Sequence, residues 1–329
     1  MRSKKIESCE RGGLIMVKDA IQDGLTAVED QLRTIVNSDV QLLTDAGLHI
    51  ITSGGKRLRP QLGLLAYLAV GGQNLMEVVP MAAAVEMVHT ATLVHDDIND
   101  HSLTRRGKIT VHAKWGRTFA LLAGDYLFTK VYEMMAPYGP DYNVIMADAC
   151  IKLVEGETLQ AVAAKAGMMD RETYKTIISR KTASLFEAAA RMGAMLGGGD
   201  EKSIEALAAY AYNLGLTFQI VDDILDIVGD PEEMGKPAGL DLAQNRGLLM
   251  AQNGGHADVL EAEVAVAELP DDPIARMMAQ LRESGAVEIA RLQAEETGAR
   301  ARAALAELPD SEIRDEMLEL IDLVLERNR

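Results

Sequence analysis

Two stretches, His95-Asp96-Asp97-Ile98-Asn99-Asp100 and Val221-Asp222-Asp223-Ile224-Leu225-Asp226, set the pattern Asp-Asp-x-x-Asp inside otherwise apolar sequence of helical period. On a helix, positions i and i+4 lie one above the other, so Asp96 with Asp100, and Asp222 with Asp226, put two carboxylates on one face. Asp97 and Asp223 widen that face. Around the second motif, Gln219, Asp222, Asp223 and Asp226 form one polar stripe among Phe218, Ile220, Val221, Ile224 and Leu225. A helix apolar elsewhere is mostly buried, so the stripe is expected to face a cavity. Clustered carboxylates repel and raise one another's pKa unless cations share the site. Oxygen donors of this kind suit Mg²⁺ or Mn²⁺ better than zinc. A single such motif reads as a solvated face or a helix cap; two copies with apolar flanks point to a metal site.

The rest of the composition agrees with helices. The 329 residues are 48% hydrophobic but only 4% aromatic, with Ala, Leu, Met and Glu abundant and nine prolines. Helix propensity therefore dominates, and an all-α bundle is expected. Punctuation falls at Gly54-Gly55, Gly71-Gly72, Pro137 to Pro140, Gly197 to Gly199, Gly229 to Gly239 and Gly254-Gly255, leaving about ten or more helices and no convincing strand. No linker argues for a second domain: residues 1–15 read as a loose tail, with Met16 a candidate start, and residues 16–329 as one domain. A formal charge of −17 excludes nucleic-acid binding through a general positive field. Two cysteines, Cys9 and Cys150, give no disulfide framework and fit a cytoplasmic location. No apolar run is long enough for a transmembrane span.

Cations cluster where an anion would need them. Gly54-Gly55-Lys56-Arg57-Leu58-Arg59-Pro60 follows a flexible turn, and Arg105-Arg106-Gly107-Lys108 follows the first acidic motif. Arginine forks suit phosphate oxygens. Nucleotide signatures are missing, as no glycine-rich run ends in Gly-Lys-Ser or Gly-Lys-Thr, and no nucleophile elbow is present. Paired acidic motifs with separate cations thus imply metal-assisted departure of a diphosphate that is not part of ATP.

These residues resemble the trans-isoprenyl diphosphate synthase, or polyprenyl synthetase, family from about residue 17 onward. The likeness rests on Gly54 to Pro60, His89 to Asp97, Arg105 to Lys108, Gly124-Asp125-Tyr126-Leu127, Lys181-Thr182, Phe218-Gln219 with the second motif, and Gly235-Lys236-Pro237. The resemblance implies a helical bundle with a central cavity, normally a homodimer. Asp96, Asp97, Asp100, Asp222, Asp223 and Asp226 would hold an allylic diphosphate through three Mg²⁺, with Mn²⁺ an alternative. Arg105, Lys181, Thr182, Gln219 and Lys236 would serve the allylic substrate, while Lys56, Arg59, His89 and Arg106 would hold isopentenyl diphosphate. The implied reaction is ionisation, head-to-tail condensation and proton loss.

Product length is argued from helix geometry. The chain should grow down the first acidic helix, where Ala91 and Thr92 occupy the turn below Asp96, about 5.4 Å lower. Both are small, where short-chain members of the family carry a bulky aromatic, so a product longer than C20 is expected. Phe128, Tyr132 and Met135 are candidates for the floor. The segment Gly229 to Asp241 is a candidate lid. Beyond it, Leu248 and Met250 replace the threonine and proline usual in the family. That departure keeps a weakly active or non-catalytic subunit of a heteromer as an alternative. A terpene cyclase is a further one, although a cyclase has no use for Lys56, Arg59 and His89.

Overall fold

The computed structural model describes residues 13–228 and 273–327. They form an antiparallel helical assembly with one minute hairpin: α1 (Gly13–Ile35), α2 (Gln41–Ile51), α3 (Leu58–Ala69), α4 (Val79–Asn99), β1 (Thr104–Arg105), β2 (Lys108–Ile109), α5 (Val111–Trp115), α6 (Arg117–Met135), α7 (Pro140–Ala166), α8 (Arg171–Ile178), α9 (Ser184–Leu196), α10 (Glu201–Val228), α11 (Pro273–Glu283), α12 (Ala286–Leu305) and α13 (Glu312–Glu326). The all-α expectation holds. Two details differ from the sequence reading. Helix α1 opens at Gly13, three residues before Met16, and Arg105 to Lys108 form a β-turn hairpin in which Thr104 pairs with Ile109. A two-residue strand is too short to show alternation in sequence. The lid segment, Lys236, Leu248 and Met250 lie outside the described residues.

Packing follows from the stripes on each helix. Helix α4 is buried on nearly every side and packs on α6, α3 and α1, which its run of Ala82, Ala83 and Ala84 permits by keeping side chains small. Helix α3 packs on α9, α9 on α10, and α10 on α12. One large core spans α1 to α7, α9, the first half of α10, the end of α12 and α13, and a second joins α8, α11 and most of α12 to the last turns of α10. Helix α4 packs chiefly on α6 and α10 chiefly on α12 and α9, and a space lined by both helices lies between them. No helix among the described residues is long and apolar enough to cross a membrane.

Between α8 and α9 the backbone widens into one π-helical turn, Ser179–Ala183. Such turns recur at functional sites because they redirect side chains. Gly156 on α7 makes this one possible. A Cβ there would sit 2.6 Å from the backbone nitrogen of Lys181, so only glycine lets α7 lie against the turn.

Candidate active site

The space between the helices is a cavity of about 800 Å³, within the range of small-molecule sites. Its walls come from the turn before α3 (Gly55 to Arg59), from α4 (Glu86, His89, Thr92, Leu93, Asp96), from the hairpin (Thr104, Arg105, Arg106), and from the π turn (Lys181, Thr182). Phe218, Gln219, Asp222 and Leu225 of α10 and Arg327 after α13 complete it. Sequence segments far apart thus converge on one cavity.

The first acidic motif occupies the last turn of α4, with Asp100 as its C-cap. Only Asp96 of the three lines the cavity. Burial, with Glu157 and Asp100 nearby, pushes its carboxyl up to about 7, against the pull of Lys181 and Arg105. Asp97 turns into the wall, where Arg105 Nε donates to its Oδ1 at 2.7 Å. In the second motif Asp222 reaches the cavity, while Asp223 and Asp226 are buried at 6% and 1% exposure. The stripe therefore does not all face the cavity. Tyr174 Oη donates to Asp223 Oδ2 at 2.7 Å and Gln219 Nε2 to its Oδ1 at 2.9 Å. Thr182 Oγ donates in turn to Gln219 Oε1 at 2.9 Å, so the buried Asp223 orients the amide and hydroxyl at the cavity edge.

The cations sit beside this. Arg57, at the N-cap of α3 with φ 50°, is buried and bonded to Glu29, to Glu86 Oε1 at 2.7 Å, and to Ile51 O at 3.0 Å. That clamp fixes Lys56 and Arg59 on either side of it. Arg106 also holds positive φ, 50°, and donates to Gly54 O, which ties the hairpin to the same turn. Strained backbone at two adjacent arginines persists only where surrounding contacts enforce it. Arg59 lies over the Phe186 ring at 4.8 Å, and burial lowers its pKa to about 10. Burial and the arginines around it hold His89 well below its usual pKa in the ligand-free site. Lys181 pairs with Glu157 and donates to Gln160 Oε1 at 2.8 Å.

The chain-length residues need correction. Five residues back on a helix is about 140° away from Asp96, so Ala91 lands on the far side of α4 and is fully buried in the core. The wall below Asp96 is Thr92 and Leu93, with Leu153 of α7 also lining the cavity. Tyr132 is 76% exposed on the outside of α6, and Phe128 stacks on His95 at 6.3 Å, so neither lines this cavity. Met135 is a core residue. Sequence reasoning also missed Glu86, Glu157, Tyr174 and Arg327. Glu86 carried a signal, lying one turn before His89 on the same face.

Among the described residues no three His, Cys, Asp or Glu side chains converge as a ready-made metal cage. The donors still fit a hard divalent cation. They are all carboxylates, and Asp96 carries a charge that its own surroundings undercompensate.

Comparison with known proteins accords with this geometry. The polyprenyl synthetase family model matches residues 40–254. The short chain isoprenyl diphosphate synthase of Methanothermobacter thermautotrophicus is 35% identical over 326 residues, covering 95% of this chain and 99% of that protein. The octaprenyl diphosphate synthase of Escherichia coli is also 35% identical, covering 89% and 93%. The crystal structure of a polyprenyl synthase from Caulobacter crescentus, complexed with calcium and isoprenyl diphosphate, superposes with a TM-score of 0.87 at 33% identity, covering 98% of this chain and 99% of that one. The chain belongs to the polyprenyl synthetase family and is an enzyme of the prenyltransferase type.

Proposed function

We propose that the cavity condenses isopentenyl diphosphate with an allylic prenyl diphosphate, farnesyl or geranylgeranyl, to a trans-polyprenyl diphosphate longer than C20. The observation that carries this is one cavity in which Asp96 and Asp222 share walls with Lys56, Arg59, Arg105 and Arg106. A metal-carboxylate grip and a separate cationic seat give room for two diphosphates. Mg²⁺, three per site, or Mn²⁺ would supply charge neutralisation for the departing diphosphate when bound. The acidic residues of both motifs would hold the metal, Asp96 and Asp222 from the cavity wall, and the calcium complex of the Caulobacter crescentus polyprenyl synthase supports a divalent requirement.

Arg105 and Lys181, with Lys236, hold the allylic diphosphate. Lys56, Arg59, Arg106 and His89 hold the isopentenyl diphosphate. The allylic C–O bond breaks with its electron pair on diphosphate, the isopentenyl double bond attacks the allylic cation, and a proton leaves to the released diphosphate. Thr182 and Gln219, pinned through Asp223, present dipoles toward the cation without a nucleophile. The wall below Asp96 carries Thr92, Leu93 and Leu153 and no aromatic, which favours a long product. Relatives named for short-chain and octaprenyl products bracket that choice.

The protein acts as a cytoplasmic homodimer in this reading. Leu122 and Tyr132 on α6 and Ile151, Val154 and Val162 on α7 are all more than half exposed, an apolar face suited to a second copy. Purified protein with Mg²⁺, labelled isopentenyl diphosphate and each allylic primer tests the function. Radiochromatography should show a trans product above C20. No elongation by the isolated chain, or cyclised primer, would overturn it.

A further inference from the structure

Glu157 is a cavity carboxylate that belongs to neither acidic motif. It lies on α7 one turn after Leu153, on the face that this helix turns to the cavity, and its side chain is 19% exposed. It forms an ion pair with Lys181, whose Nζ also donates to Gln160 Oε1 at 2.8 Å. Gly156, the residue before it, is what lets α7 lie against the π turn, so two backbones in close contact set this carboxylate beside that ammonium. Glu157 is also near enough to Asp96 to add to the rise that burial gives the Asp96 pKa.

The two sides of the cavity therefore carry opposite charge. Asp96, Glu157 and Asp222 line the metal side, and the cations there are already engaged, Lys181 by Glu157 and Arg105 by Asp97. Asp222 accepts from Arg327 Nη2 at 2.9 Å. On the other side, Glu86 is taken by Arg57, while Lys56, Arg59 and Arg106 crowd together. Burial lowers the pKa of all three, and neighbouring cations add to the effect. A bare diphosphate meets attraction on that side and repulsion from three carboxylates on the metal side. A diphosphate that brings divalent ions carries its own positive charge to those carboxylates.

Resting on the two-diphosphate reading, we propose that Glu157 is a specificity-determining residue that reserves the allylic seat for a metal-laden diphosphate. It keeps Lys181 paired and opposes, by like charge, any diphosphate that arrives bare. That ligand is left to Lys56 and Arg59. When the allylic diphosphate comes with metal, the added positive charge offsets the repulsion, and the Lys181 ammonium turns from Glu157 to a phosphate oxygen. Isopentenyl diphosphate is thereby kept from filling both seats while metal is scarce, which is selection by a repulsive contact against the wrong ligand.

The test is calorimetric titration of isopentenyl diphosphate into metal-free protein in EDTA, so that binding is read without turnover. Wild type is compared with Glu157→Gln, Glu157→Ala and Glu157→Asp, and only variants that melt cooperatively are titrated. Wild type and Glu157→Asp, which keeps the charge, should bind one equivalent per chain. A neutral variant should bind a second equivalent, roughly 10-fold tighter than any second equivalent in wild type. Adding Lys181→Gln to that variant should remove it. A loosened fold loses ligands, so a gained equivalent separates this role from a structural one. In steady state at limiting Mg²⁺, the neutral variant should be inhibited by isopentenyl diphosphate at roughly 10-fold lower concentration than wild type. A single equivalent in the neutral variants, a second that survives Lys181→Gln, or a second that Glu157→Asp also gains would overturn the role while condensation activity stands. A wild-type protein that binds no isopentenyl diphosphate and makes no product would overturn both this inference and the reading beneath it.

Discussion

The two acidic motifs share a sequence pattern and are built differently. The first ends its helix, so its carboxylates sit at the negative end of the α4 dipole, where anions are disfavoured. Asp96 stays open to the cavity with its pKa raised to about 7. The second sends one carboxylate, Asp222, to the cavity and buries the other two, with Asp223 held by Tyr174 and Gln219. One motif therefore leaves Asp96 on the cavity wall with a raised pKa, and the other wires a scaffold that aims Gln219 and Thr182. A repeated pattern in sequence need not mean a repeated role, because burial of each carboxylate is set by the neighbouring helices.

The comparison breaks first at the open carboxylates. Asp96→Ala and Asp222→Ala should each lower turnover on the order of 10³-fold, as loss of a charge-stabilising group does. Retained turnover in one variant, measured in steady state with Mg²⁺, would show that the motif concerned does not hold the metal. Tyr174→Phe probes the wired side. Depriving buried Asp223 of a donor should cost about 1–3 kcal/mol in urea unfolding and lower turnover with little change in either KM. An unchanged enzyme would mean that Asp223 does not orient Gln219.

On α4, Ala91→Phe and Thr92→Phe separate core from cavity. The first should overpack the core by about 1–3 kcal/mol without altering product length, and the second should shorten the product on radiochromatography. The reverse outcome would return Ala91 to the cavity wall.

The smallest effect concerns pH. Because folding raises the Asp96 pKa to about 7, the folded protein binds its proton more tightly than the unfolded chain, so stability from this group is present at low pH and lost as pH rises through 7. Asp96→Asn should therefore raise the melting temperature of the metal-free protein by about 2–4 °C at pH 8, with the gain shrinking toward pH 4. A gain that grows on acidification would refute the assigned direction.

Much of the site was visible in local sequence. The i, i+4 carboxylates, the cations after Gly54-Gly55 and the adjacency of Lys181 and Thr182 are each contained in a few residues, and helical geometry sets the i, i+4 spacing of the carboxylates. Ala91 was misplaced although its angle was available, because the next turn was counted by height and not by rotation. Tyr132 was misplaced because an aromatic at helical spacing suits an inner or an outer face equally. Tyr174, Glu157 and Arg327 lacked any local signal. Each acquires its role from a partner on another helix, as Arg327 does from Asp222, and no pattern of neighbours along the chain encodes that.

The sequence by itself determined that the chain would be helical, that two acidic faces and two basic clusters would exist, and which family they match, since propensity, period and motif are local properties. Tertiary structure alone decided which carboxylates remain open, how wide the cavity between α4 and α10 is, and that an arginine near the last described residue stands against the second motif. Those outcomes depend on how helices distant in sequence pack, and packing balances the burial of each charge against the partners that happen to face it.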